Sequence, residues 1–231
     1  MKYFGLIGRH LSHSYSRMIH VEMGCGDYCH TELEPEEIGT FLKEQDIGGM
    51  NVTIPYKKEV LPYLDVISED AREIGCVNTI VTEGGKLVGH NTDADGFLWM
   101  AKNAGIEMKG KKVVIFGGGG AQLAVRRAAR VAGAREIITV SRSGEDNYEN
   151  LHRHSDAEIL VNATPVGMYP EPEGQIVDLD AFPKCEGVLD LIYNPFQDES
   201  APSSRGEGYP LLQRTLHAGS SGKTCRGIFQ G

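Results

Sequence analysis

"KKVVIFGGGGAQLAVRRAARVAGAREIITVSRS" (111–143) decides the fold. "KVVIF" is an apolar run too short for a helix and rich in β-branched residues, so it reads as a buried strand. Gly117, Gly118, Gly119 and Gly120 follow at once. A helical apolar period then runs to "VAG", and "EIITV" is a second buried strand. Strand, glycine-rich turn, helix and strand make one βαβ unit. Glycines let backbone approach a pyrophosphate closely, and a helix N-terminus presents free N–H groups and partial positive charge. Gly117 to Gly120 and Ala121 are therefore the expected phosphate-binding turn of a Rossmann-type domain. Gln122 stands where such turns usually carry a small residue, and it is expected to push the helix outward.

The end of the second strand sets the cofactor. A site for the unphosphorylated dinucleotide places Asp or Glu here, to bind the ribose 2′-hydroxyl. This chain has Ser141, Arg142 and Ser143 instead. A guanidinium flanked by hydroxyls suits a 2′-phosphate, so NADP(H) is the expected cofactor.

Working outward, "EILVNAT" (158–164) and "GVLDLIY" (187–193) predict two more buried strands. Upstream, strand signals at 3–8, 27–33 and 48–55 alternate with helical stretches at 13–24 and 35–45. "CVNTIVTEGGKLVGHNTD" (76–93) reads as strand, turn and strand, and a helix is expected from about Asp95 to Ala104. Alternation of this kind predicts a largely parallel α/β sheet. The expected organisation is a substrate-binding and catalytic domain over 1–105, a nucleotide-binding domain over 106–197 and a tail over 198–231.

Composition narrows the function. A net charge of −9 argues against nucleic-acid binding, which needs a basic face. No apolar run approaches the roughly 20 residues that cross a bilayer, and the N-terminus lacks signal-peptide character. Cytoplasmic placement is expected, with reduced cysteines and a small molecule as partner. Cys25, Cys29 and His30 lie close in sequence, but structural zinc wants four ligands, so no metal is expected. Monomer and homodimer stay equally open.

The reaction candidates sit upstream of the glycine turn. "NVTIPYKKEV" places Asn51, Thr53 and Lys57 around a strand end, and "NTD" supplies Asp93 at another. Strand ends are where α/β sheets bind ligands. A lysine beside a carboxylate forms an acid–base pair, the carboxylate orienting the ammonium. Asn78 of "CVNTI" supplies an amide for the same mouth. Ser14 and Ser16, at a helix start, are either carboxylate-binding hydroxyls or plain N-caps.

In order along the chain, "GLIGRHLSHSYS", "NVTIPYK", "GCVNTI", "NTDADG", "GGGGA", "SRS", "NATPVGM" and "DLIYNP" resemble the shikimate dehydrogenases. The resemblance covers about residues 3–197. It implies an N-terminal substrate domain, an NADP-binding domain and a cleft between them. It assigns Ser14 and Ser16 to the substrate carboxylate, and Lys57 and Asp93 to the catalytic pair. Thr53, Asn78, Asp93 and Tyr193 line the substrate site. The implied reaction is the reversible NADPH-dependent reduction of 3-dehydroshikimate to shikimate, in aromatic amino-acid biosynthesis. His10 and Arg17 depart from the family pattern, which usually has prolines there. A quinate or quinate/shikimate dehydrogenase is the near alternative, and a non-catalytic nucleotide-binding regulator the distant one.

From Asp198 onward the apolar periodicity stops, and Ser, Gly, Arg and Pro dominate. The family's C-terminal helices are not readable in it. Synonymous codons for this stretch can be chosen so that reading one nucleotide later yields a helical apolar period, a G-I-P turn and the missing family motif. A one-nucleotide frame change near Gln197 is the expected origin. A tail so poor in apolar residues is expected to order weakly and to impair activity.

Overall fold

The computed structural model describes residues 2–12, 14–168 and 176–192, with the backbone of 214–217. The chain divides into two units, Met1–Asp93 and Ala94–Gly231.

In the first unit, six strands form one sheet: β1 (Tyr3–Gly8), β2 (Tyr28–Glu32), β3 (Ile47–Val52), β4 (Val66–Ile67), β5 (Thr79–Glu83) and β6 (Lys86–His90). Their order is β2-β1-β3-β5-β6-β4. β1 pairs parallel with β2 and β3, and β4 pairs parallel with β6. β5 pairs antiparallel with both β3 and β6, so this sheet is mixed rather than largely parallel. The β5–β6 pairing comes from the turn at Gly84–Gly85, where φ is +58° and +78°. Two successive positive φ values close a two-residue hairpin, which can only join antiparallel strands.

The helices of this unit are α1 (Ser16–Glu22), α2 (Ile38–Glu44) and α3 (Glu69–Ile74). Pro35–Glu37 forms a 3-10 turn ahead of α2, with Glu34 and Glu37 as a reciprocal capping box. Ile7, Ile38, Leu42, Met50, Val52, Tyr56 and Ile80 join one buried cluster. Each large apolar side chain withdrawn from water contributes about 1.5–3 kcal/mol before entropy is counted. α1 buries none of its residues.

In the second unit, α4 (Asp93–Asn103) starts at the division itself and ends before the boundary expected between 105 and 106. Then come β7 (Lys112–Phe116), α5 (Gly120–Val131), β8 (Glu136–Val140), β9 (Ile159–Asn162) and β10 (Gly187–Asp190). A further strand, β11 (Arg214–His217), completes the order β11-β10-β9-β7-β8. β8, β7, β9 and β10 run parallel, and β7 is buried at all five residues. Residues of β7, β8, β9 and β10 share a core that includes Val114, Phe116, Val140, Leu160 and Val188. The chain leaves β7 for β8 on one side and then returns to β9 on the other. The carboxyl end of β7 is therefore a topological switch point, where doubly wound sheets bind ligands.

Within the segment expected to order weakly, four residues form β11, antiparallel to β10 from Gly187↔His217 to Asp190↔Arg214. A sheet edge offers unpaired backbone groups, and backbone pairing makes little demand on side-chain type. The rest of 198–231 lies outside the described residues. Among the described residues, no helix is long and apolar enough to cross a membrane.

Candidate active site

Strand direction brings the candidate residues of the first unit to one end of its sheet. β1 and β3 are parallel with Ile7 beside Val52, so the segments leaving both strands emerge together. Thr53 donates its N–H to the Ile7 carbonyl at 3.0 Å. β5 runs the other way and begins at this end, with Thr79 opposite Asn51. β6 then ends here, His90 opposite Thr79, and Asp93 follows three residues later. Lys57 is fixed in the same place through its carbonyl, which accepts the N–H of Val77 at 2.8 Å.

The side chains complete what the strands begin. Lys57 Nζ donates to Asp93 Oδ2 at 2.6 Å, and Asn78 Nδ2 donates to Asp93 Oδ1 at 2.7 Å. Both carboxylate oxygens are thus held by donors from different segments. The Lys57 and Asp93 side chains keep 19 % and 32 % exposure, so a small molecule can reach the pair. Asn78 is buried, and its Oδ1 accepts the Thr92 N–H and the Thr79 hydroxyl, each at 3.0 Å.

Several contributors escaped the sequence reading. Asn91 Oδ1 accepts the Asp93 N–H at 3.0 Å, while its amide donates to the Cys76 carbonyl at 3.0 Å. An Asn two residues ahead of a helix start is an Asx-turn signal, so "NTD" contained this information. Burial pushes the Cys76 thiol above its ordinary value, against the pull of Lys57. Tyr28 and Thr79 carried no such signal, because their contacts depend on strand order.

Ser14 and Ser16 stand apart from the pair: among the described residues, no hydrogen bond links them to Lys57 or Asp93. Neither serine is the N-cap of α1, which is Tyr15. Ser14 Oγ instead accepts the Ser16 N–H at 3.2 Å, and the Ser16 carbonyl meets His20 Nδ1 at 2.8 Å. Arg17 donates its N–H to His30 Nε2 at 3.2 Å, and Cys25 packs in the small cluster of Leu6, Leu11 and Tyr28. Tyr193 lies outside the described residues.

In the second unit the glycine turn sits at the switch point. Gly117 has φ +123°, and a Cβ there would lie 2.7 Å from the Ala163 carbonyl oxygen. Backbone packing alone therefore requires this glycine. Gly119 and Gly120 differ, since a Cβ on either would meet nothing within 4 Å. Gly119 is the N-cap of α5, without a side-chain cap and with no acidic residue in the first turn. An open approach to uncapped N–H groups fits a dinucleotide pyrophosphate. Gln122 spans the gap to the neighbouring strand, where its Oε1 accepts the Thr139 hydroxyl of β8 at 3.4 Å.

The segment after β8 folds back on itself. Ser141 donates its N–H to the Asp146 carbonyl at 3.1 Å, and His154 Nε2 meets Asp146 Oδ1 at 2.8 Å. Tyr148 stacks on Phe116 with ring centroids 6.3 Å apart. Arg142 and Ser143 stay exposed at the tip, and Arg142 forms no ion pair among the described residues.

A doubly wound sheet with an open glycine turn at its switch point, in a chain that also carries a lysine–carboxylate pair, is the composition of a nicotinamide-dependent oxidoreductase. The model of the shikimate dehydrogenase substrate binding domain matches residues 6–80. A shikimate dehydrogenase (NADP(+)) of Shouchella clausii is 37% identical, aligned over 90% of this chain and 86% of its own. Shikimate dehydrogenase 1 from Peptoclostridium difficile superposes with TM-score 0.76 at 37% identity, covering 84% of this chain and 79% of that one. The Thermus thermophilus enzyme, solved with NADP(H) and shikimate, gives TM-score 0.72 at 32% identity over 84% and 80%. The chain belongs to the shikimate dehydrogenase family.

Proposed function

We propose that this chain reversibly reduces 3-dehydroshikimate to shikimate with NADPH, the step that feeds aromatic amino-acid biosynthesis. The observation that carries the reading is the Lys57–Asp93 contact at 2.6 Å, fixed from its far side by Asn78. Held at the glycine turn, NADPH would supply the hydride that the ketone carbon accepts. Lys57 Nζ delivers the proton to the carbonyl oxygen, so that C=O becomes CH–OH, and recovers it from water. Asp93 orients the ammonium, compensates its charge before transfer, and favours its re-protonation from water afterwards. Thr53 and Asn78 hold the ring hydroxyls, and Ser14 and Ser16 take the carboxylate. Tyr193 is assigned to the same site from the sequence motif.

The proposed cofactor contacts are Gly117 to Gly120 and Ala121 for the pyrophosphate, and Ser141, Arg142 and Ser143 for the 2′-phosphate. Residues 1–105 then form the substrate domain and 106–197 the nucleotide domain. The four described cysteines are free thiols, which supports a reducing, cytoplasmic setting.

The test is NADPH oxidation dependent on 3-dehydroshikimate, run beside NADH and, in reverse, beside quinate. Turnover with 3-dehydroshikimate and NADPH that vanishes in Lys57→Met supports the reading. Stronger turnover with quinate assigns the chain to the quinate branch. NADPH binding without any turnover assigns it to a non-catalytic role.

A further inference from the structure

Asp93 is the end of a longer chain of donors that crosses the sheet. Tyr28 on β2 donates its hydroxyl to Asn51 Oδ1 on β3 at 2.7 Å. Asn51 Nδ2 donates to Thr79 Oγ1 on β5 at 3.3 Å, and Thr79 donates to Asn78 Oδ1 at 3.0 Å. Asn78 Nδ2 then donates to Asp93 Oδ1 at 2.7 Å. Every link points the same way, toward the carboxylate that Lys57 grips from the other side.

The direction is fixed at both ends. An ionised carboxylate only accepts, so Asn78 must present its NH₂ to Asp93 and its carbonyl to Thr79. Thr79 therefore spends its proton on Asn78 and accepts from Asn51. Asn51 must in turn present its carbonyl to Tyr28, the only phenol in the series. The start is equally constrained. Tyr28 is buried at 3 % exposure, and its ring stacks on His20 with centroids 3.9 Å apart. Burial, reinforced by Tyr3 and Cys25, pushes the phenol well above its ordinary value, so it stays a donor throughout the working pH range.

We infer that Tyr28 is a positioning residue for the reaction, acting through Asn51 and Thr79 to tighten the Asn78 amide, whose orientation the Thr92 N–H also holds at 3.0 Å, against Asp93. Without Tyr28 the Asn51 amide is free to reverse, and Thr79 then loses the donor that polarises its own bond to Asn78. Hydrogen bonds in a chain strengthen one another, so removal of the first link is felt at the last. The role is distinct from substrate contact, since four hydrogen bonds separate Tyr28 from Asp93.

This inference rests on the proposed reaction, so its test includes a readout independent of turnover. Tyr28→Phe deletes the hydroxyl and keeps the ring against His20. Thr79→Val cuts the same chain nearer Asp93 without touching that ring, which keeps the test intact if Tyr28→Phe folds poorly. In the ¹⁵N-labelled full chain, exchange of the Asn78 side-chain amide protons with water is measured in the parent and in both variants. The expected result is acceleration by about tenfold in both, with Tm within a few degrees of the parent. Alongside it, kcat falls by about tenfold and the KM for NADPH stays constant. In an Asn51→Ala background, Tyr28→Phe then has no further effect on either quantity. Unchanged Asn78 exchange in both folded variants overturns the inference. So does a Tyr28→Phe effect that persists in full beside Asn51→Ala. If the parent shows no turnover, the proposed function fails, while the exchange measurement still decides the relay.

Discussion

Lys57 donates to Asp93 at 2.6 Å although 36 positions separate them, because the Lys57 backbone is tied beside Asn78 and Asp93 begins the helix after β6. The pair is partly exposed, so its Coulomb attraction is screened and stabilises the fold little. Its value is chemical. Lys57→Met and Asp93→Asn are each expected to lower kcat by about 10²–10⁴-fold. NADPH affinity, followed by fluorescence titration, should stay within about twofold of the parent, since neither residue belongs to the glycine turn. A comparable loss of NADPH binding would show that the pair holds structure rather than chemistry.

The glycine turn gives a sharper contrast, because its glycines exist for different reasons. Gly117→Ala forces a Cβ toward the Ala163 carbonyl at a positive φ, and should cost about 1–3 kcal/mol of unfolding free energy. Gly119→Val fills open space and loses only the N-cap preference for glycine, so unfolding should change by no more than about 1 kcal/mol. NADPH affinity should nevertheless fall by tenfold or more, because the branched side chain occupies the path to the α5 N-terminus. Denaturant titration and cofactor titration on both variants separate the two effects. Equal loss of stability in both would remove the argument for a ligand at Gly119.

Cofactor choice rests on Arg142. A charge-assisted hydrogen bond contributes about 1.5–3 kcal/mol, which corresponds to roughly ten- to hundredfold in affinity. Arg142→Ala should lower kcat/KM for NADPH by that factor and leave NADH nearly unchanged. An equal loss with both cofactors would place Arg142 elsewhere than on the 2′-phosphate.

Local patterns made much of this legible in the sequence. The run 111–143 carries its own strand, turn and helix signals, so the βαβ unit followed without tertiary knowledge. Lys57, Asn78 and Asp93 were identified because strand ends attract function. What sequence could not reveal depends on strand order. Tyr28, Asn51 and Thr79 become neighbours only once β2, β3 and β5 are placed, and nothing local to Tyr28 marks it. The mixed sheet was hidden for a related reason: the hairpin at Gly84–Gly85 was readable, but not that β5 would join β3. Gln122 looked like a misfit because its partner Thr139 lies on the next strand.

Acid should destabilise the second unit through two carboxylates. The backbone N–H of Lys112 holds the Glu158 carboxyl below its ordinary 4.5, against burial and with help from Arg135. The Lys112 ammonium likewise holds Asp156 below its ordinary 3.8. Depressed folded-state values mean that this stabilisation is complete above about pH 4.5 and is lost as pH falls through the folded values. Urea midpoints at pH 7 and pH 3 should therefore differ, and Glu158→Gln should narrow the difference by lowering the pH 7 value. An unchanged difference would mean that acid acts elsewhere.

The stretch from Asp198 carries the last prediction. As written, its Ser, Gly and Arg content offers little apolar surface, whereas the same codons read one nucleotide later can encode a helix with an apolar face. The first unit leaves Met18 and Val21 of α1 and the adjoining Met23 exposed at 56%, 44% and 55%, and such a helix has the kind of surface that covers side chains like these. We expect the coding DNA to contain this second frame directly after the codon for Gln197. A chain carrying the restored frame should melt at higher temperature and turn over 3-dehydroshikimate at least about tenfold faster, since a single well-packed clamp around a site is worth that much in positioning. DNA sequencing and a side-by-side NADPH assay check both statements. A coding sequence whose shifted frame runs into stops would overturn the frame change, and equal turnover by the two chains would show that the site works without the family's helices.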